Sequence, residues 1–504
     1  MTATRRALLS AASAAPLLAF AERAAAAGRD HLNFGLSGYP PNLQPWMWSG
    51  VTQRTATALM HRGLLSFAPD GTLQGELAES WGRDGEKGWI FRLREAWFHN
   101  GAPVTSADVK WSLEEIAAPG STAYYRIEFG GIERIATPDA RTVRIEMKEP
   151  TSTVPYWLGG IAPICAQAER ASTPVGAGPF MLKSAERGVK LEFEAFDRYY
   201  KPGLPKLKTI RLLAIADEAL RVAALQSGDV DIIELVPWQS MDGIEADPRL
   251  KLTSTDGAFM YIGFNGKAAP FNDHRVRQAI AFAVKREDIV RSVFFNRGSA
   301  LGGLPIIKGA EFYDEALANH WAYDPDRARR LLAEAGLGNG FSCTLLSSSQ
   351  FSMYQNSAEI VQQHLAAIGI TVQLRLTDWP TFVQMATRGQ YQFRLAGSTG
   401  RNNDPDSLRS MLDPTLPPSF DRSFDLPVPG LHELFEAGKA EVDRDRRFAI
   451  YQQVQRLALD QAPVVYLSWR SQAYAMRKDL QGFYNLPGAL SFYSGDTLEG
   501  TSLG

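Results

Sequence analysis

Residues 217–235 read DEALRVAALQSGDVDIIEL and contain a helix, a turn and a strand in direct succession. Asp217 is a residue type that caps helix N-termini, and Gly228 can adopt the left-handed conformation that closes a helix. A short apolar strand is predicted to follow from 231 to 235. This order of elements is typical of an α/β fold. The residues of this helix predicted to face the core are Leu220, Ala223 and Ala224.

The same helical and strand periods recur along the chain. NDHRVRQAIAFAV (272–284) and YDPDRARRLLAEAGL (323–337) each predict a helix that begins at a capping Asn or Asp. SAEIVQQHLAAIGITVQLRL (357–376) predicts a helix that ends at Gly369 and a strand that begins directly after it. Alternating helices and strands favour an α/β architecture over a β-sandwich or a helix bundle.

Length and charge limit the class of protein. A chain of 504 residues is too long for one ordinary core and is predicted to divide into two or three domains. With 45% hydrophobic and 21% charged residues, the composition is that of a globular protein. The formal net charge of -2 gives no electrostatic reason to expect nucleic acid or an anionic membrane as a partner.

The N-terminal sequence indicates export. Residues 1–27 combine a basic start, an apolar stretch and a run of alanines, which predicts a signal peptide cleaved before Gly28. Arg5 and Arg6 resemble the twin-arginine signal, although an ordinary secretory signal also begins with basic residues. No cysteine follows the cleavage site to carry a lipid. We therefore expect the mature protein to be soluble and periplasmic.

Motifs for catalysis, metals and cofactors are missing. No two of the seven histidines stand at the i,i+4 spacing that places two metal ligands on one helix face. VGAGPF (175–180) lacks the residues of a phosphate loop or a dinucleotide fingerprint. Cys165 and Cys343 are as compatible with two free thiols as with one disulfide. The sequence thus predicts no catalytic residue, no metal ligand and no cofactor.

Several blocks resemble a known family. HRGLLSFAPDGTLQGELAESW (61–81) followed by WIFRLREAWFHNGAPVTSADVKWSLEE (89–115) is similar to the most recognisable block of the family 5 extracellular solute-binding proteins. These are the peptide, opine and nickel receptors of ABC importers. VGAGPFMLKS (175–184), GFNGKAAPFNDHRVRQAIAFAVKREDIV (263–290) and EIVQQHLAAIGITVQLRLTDW (359–379) match further blocks in the same order. The resemblance covers essentially the whole mature chain.

The resemblance implies an α/β fold of the type II periplasmic-binding-protein class, a two-lobe clamp with a double hinge and an extra subdomain in the first lobe. Lobe I is then expected at 28–48, 170–260 and 471–504, its subdomain at 49–169, lobe II at 266–463, and the hinge strands at 261–265 and 464–470. A ligand that touches both lobes binds the closed form better than the open form and so shifts the population towards closure.

The loop GSTGRNNDPD (397–406) departs from the family pattern. In dipeptide- and oligopeptide-binding relatives this loop carries an aspartate for the α-ammonium of the ligand, and that aspartate falls on Arg401. A guanidinium repels an ammonium and attracts a carboxylate or phosphate. Asn402, beside it, is a second candidate. The alternative for Arg401 is an ion pair with Asp404 or Asp406 that braces the loop.

Other candidate ligand contacts also follow from the resemblance. Trp379 matches a tryptophan that lines the dipeptide pocket, although a ring in the lobe core is the alternative. PNLQPWMWSG (41–50) falls where relatives have a pocket loop, which makes Trp46, Trp48 and Ser49 candidates. For either of these tryptophans a core or surface role remains open. The segment SSSQFSMYQ (347–355) lacks the arginine that binds the carboxylate in the dipeptide receptor.

The function expected from the resemblance is a periplasmic receptor that delivers a peptide-like or carboxylated solute to an inner-membrane ABC permease with its ATPase subunits. We expect it to be a monomer without enzymatic activity. Within the same class, the ligand could instead be a neutral oligosaccharide stacked on tryptophans, or an ordinary di- or oligopeptide. In other classes, the alternatives are an exported enzyme and a sensory receptor that docks a membrane signalling protein.

Overall fold

The structure is a computed structural model that describes residues 29–47, 50–167, 175–400 and 402–504. The predicted signal peptide lies outside these ranges. So do three of the six predicted site residues, namely Trp48, Ser49 and Arg401.

Strands occur from one end of the described chain to the other. They are β1 (His31–Leu36), β2 (Leu65–Phe67), β3 (Leu73–Gly75), β4 (Ala78–Arg83), β5 (Gly88–Leu93), β6 (Ile132–Asp139), β7 (Thr142–Met147), β8 (Phe180–Glu186), β9 (Lys190–Ala195), β10 (Thr209–Ala214), β11 (Ile232–Ile233), β12 (Leu250–Phe264), β13 (Phe341–Ser348), β14 (Ile370–Thr377), β15 (Phe393–Ser398), β16 (Val464–Arg477), β17 (Leu480–Gln481) and β18 (Ser502–Leu503).

Helices alternate with these strands, as the sequence predicted. They are α1 (Val51–Met60), α2 (Ser106–Ala117), α3 (Arg126–Phe129), α4 (Val154–Leu158), α5 (Glu218–Ser227), α6 (Met241–Ala246), α7 (His274–Ala283), α8 (Arg286–Phe294), α9 (Pro325–Glu334), α10 (Ser352–Ala366), α11 (Trp379–Thr387), α12 (Arg409–Leu412), α13 (Leu431–Ala440) and α14 (Arg444–Gln461). Short 3₁₀ segments cover Trp238–Ser240, Pro405–Leu408 and Gly488–Gly500.

One mixed sheet of ten strands organises the fold. Its order is β14-β13-β15-β12-β16-β11-β1-β10-β9-β8. The long strands β12 and β16 pair antiparallel at the centre, with parallel strands on either side. The predicted hinge segment 261–265 begins in β12, and the predicted hinge segment 464–470 begins in β16. The α/β class is thus confirmed, whereas the lobe boundaries stay predictions.

The predicted extra subdomain contains a second sheet. It has the order β4-β5-β7-β6 and packs with α2 and the short helices α3 and α4 around a core of its own. Trp46 packs against this core from outside the sheet. The C-terminal 3₁₀ segment reaches the same core through Leu490 and Tyr493, so the end of the chain ties the subdomain to the ten-stranded sheet.

In the unit at 217–235 the helix and its two ends form as predicted, but the strand is shorter, Ile232–Ile233 instead of 231–235, and the buried face of the helix differs. The Asp217 carboxylate accepts a hydrogen bond from the Leu220 amide at 2.8 Å, and Gly228 has a φ of 86°. The residues buried on α5 are Arg221, Val222 and Leu225, while Leu220 is 65% exposed and Ala223 is also exposed. The prediction for Leu220 and Ala223 was wrong because the Arg221 guanidinium turns inward to backbone carbonyls of Ile215, Glu234 and Leu235.

The two cysteines do not form a disulfide in this structure. Cys165 and Cys343 are free and buried. Burial raises the pKa of the Cys343 thiol to about 12 and that of the Cys165 thiol further, so both are poor nucleophiles.

Candidate ligand-binding site

The sheet brings the carboxyl ends of two groups of parallel strands towards each other. On one side β15, which lies parallel to β13, ends at Ser398, opposite Phe259 of β12, and Phe259 pairs with Trp469 of β16. On the other side β11, parallel to β1, ends at Ile233, opposite Ala475 of β16. The two groups run in opposite directions, so both end at the stretch of β16 between these positions. We call residues 470–474 the central segment.

This convergence defines where a ligand belongs. In open α/β sheets ligands bind in the crevice outside the carboxyl ends of parallel strands. The loops that leave β1, β11, β13, β14 and β15 all start at such ends, and the central segment lies between them. The candidate site is therefore built from these loops and from the central segment.

Trp379 lies in an aromatic cluster at the end of β14. Its ring stacks on Tyr354 (centroids 5.4 Å apart, planes at 10°) and on Phe382, with Phe351 and Phe420 edge-on. Asp378 caps α11 through the Thr381 amide and so places Trp379 in the first turn. The ring is partly buried and packs against the core. This placement suits both a pocket wall and a core ring, and the predicted ligand contact remains a prediction.

Trp46 is placed on the subdomain core. Its indole N–H donates to the Pro163 carbonyl at 2.8 Å, and its ring lies edge-on to Trp111. Among the described side chains, Trp46 and Trp379 share no ring contact. The structure therefore does not bring these two predicted residues into one aromatic box. The other two predicted contacts of this loop, Trp48 and Ser49, lie outside the described residues.

Asn402 lies between two cavities. The smaller cavity has about 370 Å³ of empty space, part of it open to solvent, and is lined by Phe259, Trp469, Gly400, Asn402 and Ala489, among others. The larger one encloses about 900 Å³, part of it open to solvent, between the subdomain and α12–α13. Its lining includes Tyr125, Trp157, Asn402, Asp406, Arg409 and Lys439. Asn402 itself caps the following turn by accepting from the Asp404 amide at 2.9 Å.

Charges around this turn are paired. Arg447 holds both oxygens of the Asp404 carboxylate at 2.8 Å, a bidentate geometry in a buried place. Tyr451 donates to Asp406 at 3.1 Å. Burial, followed by the charge of Asp404, raises the pKa of Asp406 to about 6. Asp404 thus already has an arginine partner, although Arg401 itself lies outside the described residues.

Sequence reasoning missed two buried charged residues at the strand ends. Glu234 follows β11 and accepts hydrogen bonds from the Ser37 amide (2.9 Å) and hydroxyl (2.8 Å), while its other oxygen is buried without a partner. Burial raises the pKa of Glu234 to about 7. Arg470 lies in the central segment and is only 6% exposed. The available signals were Glu234 directly after the apolar pair Ile232–Ile233, and Arg470 inside the strand sequence VVYLSWRSQAYAM.

Metal ligation finds no support in the part of the chain that the structure describes. There, no three or more His, Cys, Asp or Glu side chains cluster in a way that could hold a metal ion. Nor do the described helices include one long and apolar enough to cross a membrane.

Comparison with known proteins places the chain in a family. Residues 72–416 match the family described as bacterial extracellular solute-binding proteins, family 5 Middle. Similar curated proteins are a glutathione-binding protein, GsiB, of Pectobacterium atrosepticum (28% identical; 91% of this chain and 92% of that protein covered) and di/tripeptide-binding protein 1 of Pseudomonas aeruginosa (28%; 92% and 93%).

Solved structures with the same fold include opine-binding proteins. The periplasmic binding protein AgaA of A. tumefaciens R10, in complex with agropinic acid, has a TM-score of 0.86 and 39% identity, with 94% of this chain and 99% of that chain covered. MoaA from the same source, in complex with mannopinic acid, has a TM-score of 0.80 and 24% identity over 94% and 99%. The chain belongs to the family 5 extracellular solute-binding proteins, the ligand receptors of ABC importers, and it has their two-lobe α/β fold.

Proposed function

We propose that this protein is a periplasmic receptor that encloses an opine-like organic acid between two lobes and delivers it to an inner-membrane ABC permease with its ATPase subunits. The observation that carries the proposal is the 39% identity, over nearly the whole chain, to a binding protein in complex with agropinic acid. The replacement of the ammonium-binding aspartate of peptide receptors by Arg401 supports an anionic ligand. Trp379, Trp46, Trp48, Ser49 and Asn402 are retained as proposed ligand contacts.

The proposed clamp has lobe I at 28–48, 170–260 and 471–504, its subdomain at 49–169, and lobe II at 266–463, with hinges at 261–265 and 464–470. Contacts across these boundaries support a closed arrangement. The Ser152 amide and hydroxyl both donate to the Lys439 carbonyl, at 3.0 and 2.9 Å. The Asn403 amide group bonds to the Pro487 carbonyl (3.3 Å) and the Ala489 amide (3.2 Å).

Export through the signal peptide at 1–27, a soluble monomeric state, and the lack of enzymatic activity and of nucleic-acid binding are further parts of the proposal. A peptide receptor is the second candidate, because the curated relatives include glutathione- and di/tripeptide-binding proteins.

Calorimetric titration of the mature protein tests the proposal. The panel contains agropinic acid, mannopinic acid, glutathione, free di- and tripeptides, and a neutral oligosaccharide. We expect binding of an opine acid, lost in Arg401→Ala. Binding of free peptides alone, unchanged in that variant, would establish the second candidate, and turnover of any bound compound would establish an enzyme.

A further inference from the structure

We propose that Arg470 is the residue of the central segment that binds a carboxylate of the ligand. This inference rests on the proposed function and extends it, because it names a second anion-binding position besides Arg401. Arg470 lies one residue beyond Trp469, in the direction of the end of β11. Trp469 pairs with Phe259 of β12, and Phe259 pairs with Ser398 at the end of β15. The backbone of Arg470 therefore lies where both groups of parallel strands end.

The hydrogen bonding of Arg470 is far from complete. Nη1 donates to the Gln472 side-chain oxygen at 3.3 Å, and the buried Nε has no partner. Within the described ranges no carboxylate lies within salt-bridge distance of this guanidinium, and burial lowers its pKa. A buried cation without a counter-charge destabilises a fold, so its presence needs a compensating partner.

Other buried arginines of the chain provide the comparison. Arg286 also has a buried nitrogen without a partner, Nη2, but its other nitrogens donate to the backbone carbonyls of Leu301, Tyr466, Ala281, Val284 and Trp321. Arg277 donates to three carbonyls as well. These residues show how the fold compensates a structural buried guanidinium. Among the described residues Arg470 donates to no backbone carbonyl, and in this it differs from the structural arginines Arg286 and Arg277.

Aromatic rings border the guanidinium. The Trp238 ring centre lies 5.8 Å from the Arg470 guanidinium carbon, and Trp238 is held by its N–H bond to the Ser471 carbonyl and by Phe294 edge-on. The Arg470 charge opposes the rise that burial gives to the pKa of the Tyr354 hydroxyl. Tyr354 in turn stacks on Trp379.

Such surroundings suit a carboxylate. Apolar rings exclude water, and a charge-assisted hydrogen bond gains strength when water is excluded. The guanidinium fork matches the two coplanar oxygens of a carboxylate, and its N–H groups without a partner can donate hydrogen bonds to these oxygens. A neutral sugar or an ammonium would leave the buried charge uncompensated.

The first experiment is a thermodynamic cycle that removes the charge of Arg470, the charge of the ligand carboxylate, or both. Wild type, Arg470→Gln and Arg470→Lys are titrated with agropinic acid and with its methyl ester. We expect R470Q to bind the acid at least about 100-fold more weakly and R470K to fall between, because lysine keeps the charge but not the fork. Esterification should weaken binding to wild type more than binding to R470Q, which keeps only the contribution of Arg401.

The matched control is Arg198→Gln, since Arg198 also covers a tryptophan, Trp97 at 4.6 Å, but is exposed on the connection between β9 and β10. R198Q should bind like wild type. An affinity of R470Q for the acid within about threefold of wild type overturns the inference.

A second experiment needs no ligand. Arg470→Met should unfold at a temperature no lower than wild type, because the methionine removes an uncompensated charge, whereas Arg286→Met should unfold much lower. An equal loss in both variants would make Arg470 structural and overturn the inference. If wild type binds nothing in the panel, the proposed function fails, and this stability comparison still decides the role of Arg470.

Discussion

Two buried groups of charged side chains in this protein differ in whether they have oppositely charged partners. At the junction between α1, the subdomain and the C-terminal segment, Arg62 contacts Glu76 (3.4 Å) and Glu499 (3.0 Å), and Lys201 contacts the same two carboxylates. Although burial opposes it, Lys201 and Arg62 lower the pKa of Glu76 to about 2. At the strand ends, by contrast, Arg470 and Glu234 each keep a buried polar atom without a partner.

The difference separates architecture from binding. A fold can compensate a buried charge when it brings distant parts of the chain together, as it does at the junction. Where compensation is left out, the free protein loses stability that a ligand can restore. We therefore interpret the junction as a structural part of the proposed clamp and the strand ends as the proposed ligand-binding part, whose missing partners the ligand would supply.

The largest effect is expected at the junction. Arg62→Met leaves Glu76 and Glu499 with one cation fewer in a place where Arg62 is 3% and Glu76 2% exposed. Breaking a buried pair by removing one partner costs about 3–5 kcal/mol of unfolding free energy. Denaturant unfolding at neutral pH measures this loss.

An exposed pair gives the control. Arg134 and Glu146 are 71% and 49% exposed, so Arg134→Met should cost less than about 1 kcal/mol. Equal losses in the two variants would mean that the junction is no better compensated than the surface.

The next effect is a pH dependence caused by Glu234. The folded protein keeps its proton up to about pH 7, whereas the unfolded chain releases it near pH 4.5. Between these values the folded state binds more protons, so the stability falls as the pH rises, by at most about 3 kcal/mol. Glu234→Gln should flatten this part of the stability profile.

Denaturant unfolding at pH 5 and pH 7.5 checks the prediction, with the exposed Glu218→Gln as control. If the E234Q profile is as steep as that of wild type, the Glu234 carboxyl does not carry an elevated pKa.

Closure of the proposed clamp can be tested at Gly488. An added Cβ would lie 2.1 Å from Ile307 Cδ1 and 2.5 Å from Asn403 Oδ1, so Gly488→Ala should hinder the approach of the C-terminal segment to the 403 loop. We expect about a tenfold loss of affinity for the ligand, equivalent to about 1.4 kcal/mol.

Gly309→Ala is the control for the effect of backbone strain without a steric clash. Gly309 has a similar positive φ, 87° against 65° for Gly488, but no atom within 4 Å of the added Cβ. An equal loss of affinity in both variants would argue against a closing contact at Gly488.

The sequence predicted the fold better than the site. Capping residues and terminal glycines are local signals, and they located α5 and α9 as well as the end of the helix and the start of the strand in the unit predicted at 357–376. The buried face of α5 was wrong because Arg221 is charged, and periodicity does not show that carbonyl groups from distant residues will surround it. Arg470 and Glu234 were missed for a related reason, since their environment depends on the register between strands far apart in sequence.

The smallest effect is expected at the contact between the subdomain and α13. Ser152→Ala removes the hydroxyl bond to the Lys439 carbonyl but keeps the backbone bond, and a single hydrogen bond contributes about 1 kcal/mol. Since this bond forms across the proposed cleft, its loss should weaken ligand binding about fivefold and leave the unfolding of the ligand-free protein nearly unchanged. Ser227→Ala, which loses a hydroxyl bond to Asp229 on the surface, is the control. A drop in ligand-free stability without a change in affinity would mean that the subdomain and α13 are joined permanently, and the moving boundary would then have to lie elsewhere.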